Sequence, residues 1–398
     1  MKILHIAPSI EQSYGGPTQS LAGYALAARS AGMEVTVAAP RCPLNDESFF
    51  ADSSKVDRLK LFNSIGSDAF VFSPALTRWV ARNADGYDLV HVHGLLNSVS
   101  SLSARAALKS GVPVVIRPFG TLSRYTFTHR RGVLKHQYFR RIDGPNLERA
   151  AAIHFTTITE RDEAAWHGIR FDNRAHVVPP PYVADQPQKG ARSAPAERVP
   201  HLVLFLSRLH PVKRIEILLD AWPAIRKAMP DAQLVIAGTG KESYERALRA
   251  RARQLSLGES VTFTGFVSGS DKRSLFAKAS VFVLPSQHEN FGVVVLEALA
   301  AGIPVVVSPE VQLAEFVTRN HLGLAVDARP TALGTAIVQI LSSSELQGQV
   351  QTEGPAKVNE EFSVRVISRE LTAMYAAAAN EADSRALPIE PRVDSLRS

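Results

Sequence analysis

Short apolar runs alternate with longer helical stretches along the whole chain. The runs are rich in Val, Ile and Leu, which is typical of strands that are buried on both faces of a parallel sheet. In the first half of the chain we predict strands at residues 2–7, 35–39, 89–92, 114–116, 153–156 and 176–178. A second series is predicted at 202–207, 233–237, 261–264, 281–284, 304–307 and 323–325. Strands that alternate with helices in this way indicate an α/β fold with parallel sheets.

The two series are separated by residues 184–200, "ADQPQKGARSAPAERVP", which are rich in Pro, Ala and charge and have no periodicity, as a linker is expected to be. A chain of 398 residues also exceeds the size at which one core keeps growing. We therefore predict two doubly wound domains, at 1–183 and 201–356, that face each other across a ligand-binding cleft. The tail, 387–398, is predicted to be disordered.

The composition is that of an ordinary globular protein, with 45% hydrophobic and 21% charged residues and a mean hydropathy of −0.02. The single cysteine, Cys42, excludes an internal disulfide and fits a reducing compartment. The start of the chain, "MKILHIAPSIEQSYGG", reads as a strand without the apolar region and cleavage site of an export signal. No window approaches about 18 consecutive apolar residues, so we predict no membrane span and expect a cytoplasmic protein.

A basic segment occupies residues 117–149, where eight Lys or Arg residues accompany two acidic ones, a net charge of +6 (8 − 2). One interpretation is a solvated helix face. The other is a basic surface for the anionic lipids of the inner membrane face or for a phosphate-bearing substrate. Nucleic acid is not expected as a partner, because no recognised nucleic-acid-binding motif accompanies the charge.

Two glycines, Gly15 and Gly16, follow the first predicted strand and precede Pro17, which suits the first turn of a helix. The amides of that helix N-terminus could bind an anion, although a purely structural turn is an equally good explanation. A dinucleotide fingerprint would need G-x-G-x-x-G and an acidic residue after the second strand, and both are missing from the sequence. The pattern therefore disfavours an NAD enzyme.

Two histidines, His91 and His93, share one face of a predicted strand, and His93 lies nearer its carboxyl end. His93 is thus a candidate for the cleft, with a structural role as the alternative. Metal binding by the pair is not expected, because no Cys, Asp or Glu accompanies them at ligand spacing. The sequence also has no D-x-D, the common carboxylate handle for a metal–diphosphate complex, so we expect no metal cofactor.

The second domain offers two cations at a strand end, Arg208 and Lys213, in "LSRLHPVKR". Together they could clamp a diphosphate, with two ordinary surface cations as the alternative. Strand-end glycine turns follow in "VIAGTGKE", which contains Gly238, and in "FTGF", which ends at Phe266. These turns could bring the backbone close to a nucleotide.

The stretch "HENFGVVVLEALAAG" places Glu289 just before a predicted helix and Glu297 about two turns inside it. The amides of 290–293, "NFGV", would surround the helix N-terminus and are candidates for binding phosphate or sugar oxygens. A glutamate among valines is costly to bury unless it is paired or hydrogen-bonded. A ribose diol would be a suitable partner for Glu297.

At this point the sequence resembles the retaining glycosyltransferases of family 4, which have the GT-B fold of two Rossmann-like domains. The resemblance covers roughly residues 1–380 and rests on the glycine turn, the Arg–Lys pair, the "FTGF" turn and the E-x(7)-E motif. It implies that Gly15 and Gly16 approach the sugar or phosphate of a donor, and that Arg208 and Lys213 neutralise its diphosphate. It also implies that Glu289 contacts the donor sugar and that Glu297 binds the ribose hydroxyls. The strand-end turns and the helix N-terminus described above add further expected donor contacts, at Gly238, Phe266, Asn290, Phe291, Gly292 and Val293.

The segment that begins "RPFGTLSRYTF" is similar to the acceptor-side loop of bacterial family members that build surface polysaccharides. This resemblance assigns Arg117, Arg124, Arg130 and Arg131 to the acceptor side. Many relatives have a histidine where this chain has Phe119, which gives His93 more weight as a sugar contact. In "VVPPPYV" prolines replace the usual Asn-Gly, and helices at about 357–380 are expected to return to the first domain.

The expected activity is transfer of a hexose-type unit from a UDP- or GDP-sugar to a glycan or lipid-linked acceptor, with retention and without a metal. Glu289, His93, Arg208 and Lys213 are the expected catalytic residues. Two alternatives remain, a nucleotide-sugar epimerase of similar fold and a non-catalytic sugar-nucleotide-binding scaffold. Product formation without an acceptor would favour the first, and binding without turnover would favour the second.

Overall fold

The computed structural model describes residues 1–11, 15–41, 50, 56–67, 70–128, 131–169, 171–183 and 198–386. Two compact units share these residues. The N-terminal unit comprises Met1–Gln12, Tyr24–Val178 and Ser368–Ser398, and the C-terminal unit comprises Ser13–Gly23 and Pro179–Ile367. Most of the predicted linker (184–197), the predicted tail (387–398) and Cys42 lie outside the described residues.

The first half of the chain supplies alternating strands and helices. In chain order they are β1 Lys2–Ile6, α1 Gly16–Ser30, β2 Glu34–Pro40, β3 Arg58–Phe62, β4 Ile65–Ser67, β5 Phe70–Phe72, α2 Pro74–Asn83, β6 Leu89–His93, α3 Ser98–Lys109, β7 Val114–Arg117, α4 Arg124–Thr128, α5 Gly132–Tyr138, α6 Gly144–Arg149, β8 Ala152–Phe155, α7 Ile158–Ala164 and β9 Ala175–Val177. Side-chain oxygens cap several of these helices. Asn97, for example, accepts from the amide of Ser100 at the start of α3 (2.8 Å).

The second half repeats the alternation and ends in two long helices. Its elements are β10 Leu202–Leu206, α8 Ile215–Ala228, β11 Gln233–Ala237, α9 Glu242–Gln254, β12 Val261–Gly265, α10 Gly269–Lys278, β13 Val281–Leu284, α11 Val293–Ala300, β14 Val305–Val307, α12 Ala314–Arg319, β15 Gly323–Ala325, α13 Pro330–Leu341, α14 Ser344–Phe362 and α15 Val364–Ala386. Helix α15 begins in the C-terminal unit, and from Ser368 onward its residues belong to the N-terminal unit.

Each unit contains a parallel sheet. In the described part of the N-terminal unit the strand order is β3-β2-β1-β6-β7-β8-β9, and in the C-terminal unit it is β12-β11-β10-β13-β14-β15. The order reverses between β1 and β6 and between β10 and β13, and in open parallel sheets ligands bind beyond the carboxyl ends at such switch points. Every strand predicted from the sequence is present, with ends shifted by at most one residue. The edge strand β3 and the antiparallel pair β4–β5 were missed.

The C-terminal sheet lies in a core of aliphatic side chains with Trp222 of α8 among its largest members. The indole Nε1 of Trp222 donates to Ser260 Oγ (3.0 Å), which satisfies its polar atom inside the core. Strands β13 and β14 are buried along their whole length, as strands covered on both faces should be. None of the helices in the described residues is both long enough and apolar enough to cross a bilayer.

Candidate functional site

An ion pair joins the loops that follow β10 and β13, the two strands that flank the switch point of the C-terminal sheet. Lys213 ends a short 3-10 turn, Pro211–Lys213, that follows β10, and Glu289 lies between β13 and α11. The Lys213 ammonium donates to the Glu289 carboxylate, and both side chains are largely buried (10% and 19% exposed). The pair therefore stands at the carboxyl edge of the sheet, where the fold predicts a ligand.

The local backbone explains how these two side chains meet. His210 caps the 3-10 turn, because the amide of Val212 donates to its ring Nδ1 (3.2 Å). The amide of Gln287 donates to the carbonyl of Val212 (2.7 Å), which ties the loop after β13 to this turn. Glu289 also forms an isolated parallel bridge with Val311. The pairing thus follows from two loops fixed by main-chain hydrogen bonds, and an ammonium there is positioned to bind a phosphate in place of the carboxylate.

Helix α11 begins at Val293, directly after this pair. Gly292 precedes it with φ +90°, and a Cβ there would lie 3.3 Å from Glu289 Cγ, so glycine suits the position. The side chain of Phe291 is buried and packs edge-to-face against Phe362 (ring centroids 5.7 Å). Its predicted donor contact can therefore come only from the backbone. The 290–293 segment as a whole presents the helix N-terminus at the strand end, as expected.

A second buried ion pair lies on the same helix. Glu297 of α11 accepts from Lys272 Nζ of α10 at 2.5 Å, and the side chains of Lys272 and Glu297 are 11% and 17% exposed. The cost of burying Glu297 among valines is offset by this lysine, whereas the sequence alone suggests a ribose diol as the partner. Lys272 was missed, since "GSDKRS" looks like any polar helix start. A ribose bound to Glu297 would have to share its carboxylate with Lys272.

The other predicted donor residues lie on loops after β10, β11 and β12. Arg208 is exposed two residues beyond β10, and Phe266 is 54% exposed just after β12. Gly238 has φ +134°, and a Cβ there would lie 1.9 Å from the carbonyl oxygen of Ser207. The close approach of the two loops is therefore enough to require glycine at 238, with or without a nucleotide.

The glycine turn before α1 is open around its α-carbons. Gly15 has φ +74°, Gly16 is the first residue of α1, and a Cβ at either position would meet no described atom within 4 Å. The conformation favours glycine at 15, while the open space leaves room for a ligand to approach the backbone at both. Whether a donor uses that space stays a prediction.

The N-terminal unit carries an unusual row of polar side chains across its buried sheet. His5, His91, His93, Arg117 and His154 lie on β1, β6, β7 and β8, and all are buried. We call these five residues the polar layer. Register pairs His5 with His91 and His93 with Arg117, so their side chains share one face of the sheet. His93, at the carboxyl end of β6, is the sequence candidate among them.

Burial and mutual repulsion keep the four imidazoles of the polar layer neutral. Desolvation, followed by the nearby Arg117 charge, lowers the pKa of His5 from 6.5 to about 3. Desolvation likewise holds the pKa of His91, His93 and His154 well below the usual range. Arg117 is electrostatically coupled to Glu160, whose carboxylate accepts from the amides of Gly120 and Thr156.

The predicted acceptor-side arginines do not form one surface. Arg117 is only 1% exposed, so its assignment to an exposed basic face was wrong: β7 carries it into the polar layer, where its guanidinium lies between the rings of Tyr24 and Phe119. Arg124 is exposed, 5.6 Å above the Trp166 ring. Arg131 is exposed just before α5. Arg130 lies outside the described residues.

Two family models match the chain, one in each half. Residues 15–181 match the model described as "Glycosyl transferase 4-like domain", and residues 191–357 match "Glycosyl transferases group 1". Each match covers 167 residues, so the two models together account for 334 of the 398 residues.

Similar proteins include several mannosyltransferases. The chain is 35% identical over 178 residues to an uncharacterized glycosyltransferase of Methanocaldococcus jannaschii (44% of this chain, 45% of that protein). It is 39% identical over 145 residues to the GDP-mannose-dependent alpha-(1-6)-phosphatidylinositol dimannoside mannosyltransferase of Mycobacterium tuberculosis (36% of each). These two alignments thus span less than half of either relative. Phosphatidyl-myo-inositol mannosyltransferase of Mycobacterium leprae is 27% identical over 389 residues (95% of this chain, 97% of that protein).

Solved structures share the fold over almost the whole chain. Anabaena HepE in complex with UDP and glucose superposes with a TM-score of 0.75 at 19% identity, covering 95% of this chain and all of that one. Sucrose-phosphate synthase from Thermosynechococcus elongatus gives 0.69 at 20% identity, with 94% and 98% covered. These similarities, with the two parallel sheets, confirm the predicted GT-B fold.

Proposed function

The chain belongs to the GT-B glycosyltransferases of the family 4 type, and we propose that it moves a sugar from a nucleotide diphosphate sugar to an acceptor hydroxyl with retention of configuration. The observation that carries this proposal is the Lys213–Glu289 pair at the switch point of the C-terminal sheet. A paired lysine and glutamate next to a helix N-terminus offers one group for a phosphate and one for sugar hydroxyls. Both are needed by an enzyme that must bind an activated sugar and let its diphosphate leave.

The reaction breaks the bond between the anomeric carbon and the diphosphate oxygen and forms a bond from that carbon to the acceptor oxygen. The electron pair of the broken bond stays on the diphosphate, so negative charge grows there in the transition state. Lys213, Arg208 and the amides that begin α11 stabilise this charge by positions fixed in advance. The acceptor proton passes to the departing phosphate oxygen, which balances the step without a nucleophile from the protein.

We propose a guanosine or uridine diphosphate sugar as donor, and mannose as the first sugar to test. The support is the similarity to a GDP-mannose-dependent enzyme over the 145 residues that align with it. Thermal unfolding with GDP-mannose, UDP-glucose, UDP-GlcNAc and ADP-glucose would identify the donor, because a ligand at about a hundred times its dissociation constant stabilises a protein by about 2.7 kcal/mol. No shift with any of the four would count against the proposal.

Stereochemistry and acceptor dependence test the reaction class. The anomeric proton of the product, read by NMR, is expected to keep the configuration that the sugar has in the donor. Turnover is expected to need an acceptor, since an epimerase would convert the donor alone. Turnover is also expected to survive EDTA, because we assign the role of a metal to the cations Lys213 and Arg208. Inversion of configuration would refute retention, and an absolute need for a divalent ion would refute the role assigned to the two cations.

The acceptor is proposed to be a glycan or glycolipid at an anionic membrane. On α5, Val133 and Leu134 are 79% and 64% exposed, and the exposed Arg131, Arg140 and Arg141 surround them in sequence. Apolar side chains beside arginines suit the interface of a bilayer that contains acidic lipids. Similar proteins whose names specify phosphatidylinositol acceptors support the same class of substrate.

A vesicle flotation assay tests this membrane contact. The full chain is expected to float with vesicles of phosphatidylglycerol and phosphatidylcholine, and to stay behind with phosphatidylcholine alone. The double change Val133→Ser and Leu134→Ser should release it. Ile65→Ser, which alters a similarly exposed side chain (69%) on β4, is the matched control and should not. Equal flotation of the double variant would refute the assignment.

A further inference from the structure

The four histidines of the polar layer are linked, and a backbone carbonyl sets the direction of their hydrogen bonds. His154 Nε2 lies 2.7 Å from the carbonyl oxygen of Val178, which can only accept, so the proton of this neutral ring is on Nε2. His154 Nδ1 must then accept from His91 Nε2 (3.2 Å). His91 Nδ1 is in turn left as an acceptor, and it receives the hydroxyl proton of Tyr375 (2.9 Å).

The directions of the remaining hydrogen bonds, from Tyr375 of α15 to the carboxyl end of β6, are fixed in the same way. The Tyr375 hydroxyl has donated its proton, so it accepts from His5 Nε2 (3.5 Å). His5 Nδ1 then accepts from His93 Nε2 (2.9 Å). All four rings therefore carry their proton on Nε2, and His93 Nδ1 is a bare lone pair. We call this series, from His154 to His93, the histidine chain.

Two unpartnered atoms stand where the histidine chain ends. In the described residues, His93 Nδ1 is buried without a hydrogen-bond partner, and so is Nε of Arg117, its register neighbour on β7. One atom is an acceptor and the other a donor. Buried polar groups are rarely left unpaired, and each such group costs about 1–3 kcal/mol. A hydroxyl group, which both donates and accepts, can satisfy the two together.

We propose that His93 Nδ1 and Arg117 Nε bind one hydroxyl group of a sugar substrate, and that the rest of the histidine chain holds His93 in the required tautomer. The hydroxyl donates to Nδ1 and accepts from the Nε–H of Arg117. The ring of Phe119, itself partly exposed, lies 4.3 Å from the Arg117 guanidinium and is the side chain that the sugar displaces. His5, His91, His154 and Tyr375 are positioning residues.

A metal ion is a poorer occupant of the polar layer. Ring nitrogens of His5, His91 and His93 lie within 4.8 Å of one another, a spacing that would interest a divalent cation. The fixed positive charge of Arg117 in the same layer opposes a cation. Coordination would also break the His5–His93 hydrogen bond, because His5 Nδ1 and His93 Nε2 already face each other at 2.9 Å.

The tautomers can be read without any substrate. Long-range proton–nitrogen NMR of the full chain, labelled with ¹⁵N histidine, is expected to show four rings protonated on Nε2 alone. Single substitutions of each histidine assign the four ring signals. A buried ring with its proton on Nδ1, or loss of the four Nε2–H signals when zinc is added with a rise in melting temperature, would overturn the inference. This part does not depend on the proposed function.

The bound hydroxyl is tested with GDP-mannose and UDP-glucose, and so rests on the proposed function. The ¹⁵N signal of His93 Nδ1 is expected to shift with one of these sugars if the hydroxyl belongs to the donor. It is expected to shift with methyl mannoside in the presence of GDP or UDP if the hydroxyl belongs to the acceptor. GDP or UDP alone should leave the signal unchanged. A signal already typical of a hydrogen-bonded nitrogen, and unchanged by all of these, would mean a buried water and overturn the proposal.

Two substitutions of His93 separate its two nitrogens. An asparagine oxygen can take the place of Nδ1, whereas a glutamine amide can take the place of Nε2. We therefore expect His93→Asn to keep most of the sugar affinity and His93→Gln to lose about tenfold, the size of one buried hydrogen bond. His321→Asn, at an exposed position of the C-terminal unit, is the control and should change nothing. The reverse order of the two His93 variants would contradict the assignment.

Tyr375→Phe tests the positioning role. It removes the donor to His91 and the acceptor for His5, so the direction of the hydrogen bonds in the histidine chain is no longer set at His93. A mixture of His93 tautomers is expected, with a severalfold loss of sugar affinity and unchanged affinity for GDP or UDP. A single Nε2–H tautomer in a folded Tyr375→Phe protein would refute this role.

Discussion

Substitutions of the two members of the Lys213–Glu289 pair are expected to have different effects on nucleotide binding. In the structure Glu289 holds the ammonium that we propose binds the donor diphosphate. The carboxylate therefore competes with phosphate for Lys213 and also repels it. Lys213→Met should weaken nucleotide binding, whereas Glu289→Gln should leave it unchanged or strengthen it, although both should stop sugar transfer.

The magnitudes follow from the burial of the pair. A hydrogen bond to a charged group contributes about 1.5–3 kcal/mol, so Lys213→Met is expected to raise the dissociation constant of UDP or GDP by about 10- to 150-fold. Removing one member of a fully buried pair costs about 3–5 kcal/mol. With side chains 10% and 19% exposed, we expect about 2 kcal/mol for Lys213→Met and less than that for Glu289→Gln, which keeps an oxygen acceptor.

Isothermal titration of UDP and GDP into the four proteins of the double-mutant cycle measures the binding, and denaturant unfolding measures the stability. Lys357→Met, which removes a lysine from the exposed Lys357–Glu360 pair, is the control for lost charge and should leave both unchanged. Wild-type nucleotide affinity in Lys213→Met, or an equal loss of affinity in Glu289→Gln, would refute the reasoning.

Three further predictions concern stability. Burial raises the pKa of Asp143 from 3.8 to about 6, so the folded state holds this proton more tightly, and the contribution of this group to stability should fall by up to roughly 3 kcal/mol as pH rises from about 4 to 6. The stability of the wild type relative to Asp143→Asn, measured by urea unfolding across that range, should decline by this amount, and a constant difference would contradict it. The polar layer acts in the opposite direction, because its four imidazoles have folded pKa values below 6.5. Below that pH, unfolding takes up about four protons, and stability should fall by about 5 kcal/mol for each unit by which the pH decreases. A dependence of stability on pH that corresponds to the uptake of one proton would exclude four neutral rings. Gly238→Ala should cost about 3 kcal/mol or more because its Cβ would meet the Ser207 carbonyl, while the control Gly348→Ala, with open space on α14, should stabilise slightly in the same assay; equal effects would be evidence against the steric argument.

The strands were predictable because the buried parallel strands are continuous apolar runs. "LVLFL" and "VFVL" stand out from the polar loops around them, and they became β10 and β13. Strand β3, "RLKLF", does not stand out in the sequence, because it is a partly exposed edge strand that mixes basic and apolar residues. The pairing of β4 with β5 is a short local contact that has no comparable signal.

The site was predictable only where its residues stand at strand ends. Lys213 and Glu289 follow β10 and β13, which become neighbours in the sheet, so their meeting could be anticipated. Lys272 could not, because its partner Glu297 is brought to it by the packing of two helices. A lysine in a polar helix start has no feature in the sequence that indicates a buried ion pair.

The polar layer could have been predicted by comparing strands. The sequence neighbours of Arg117 indicate a basic surface, yet its strand neighbours decide its burial. The runs "LHI", "VHVH", "VIR" and "IHF" each place a polar residue within an apolar strand. Comparing these strands with one another, rather than with their loops, would have indicated a buried polar row.

Transfer of a sugar by the site around Lys213 and Glu289 is the central claim. The direct measurement is release of nucleoside diphosphate from GDP-mannose and UDP-glucose by the full chain, with and without vesicles that contain phosphatidylinositol. We expect acceptor-dependent release by the wild type and a loss of at least a hundredfold, about 2.7 kcal/mol, in both Lys213→Met and Glu289→Gln. Release at the wild-type rate by both folded variants would contradict the account.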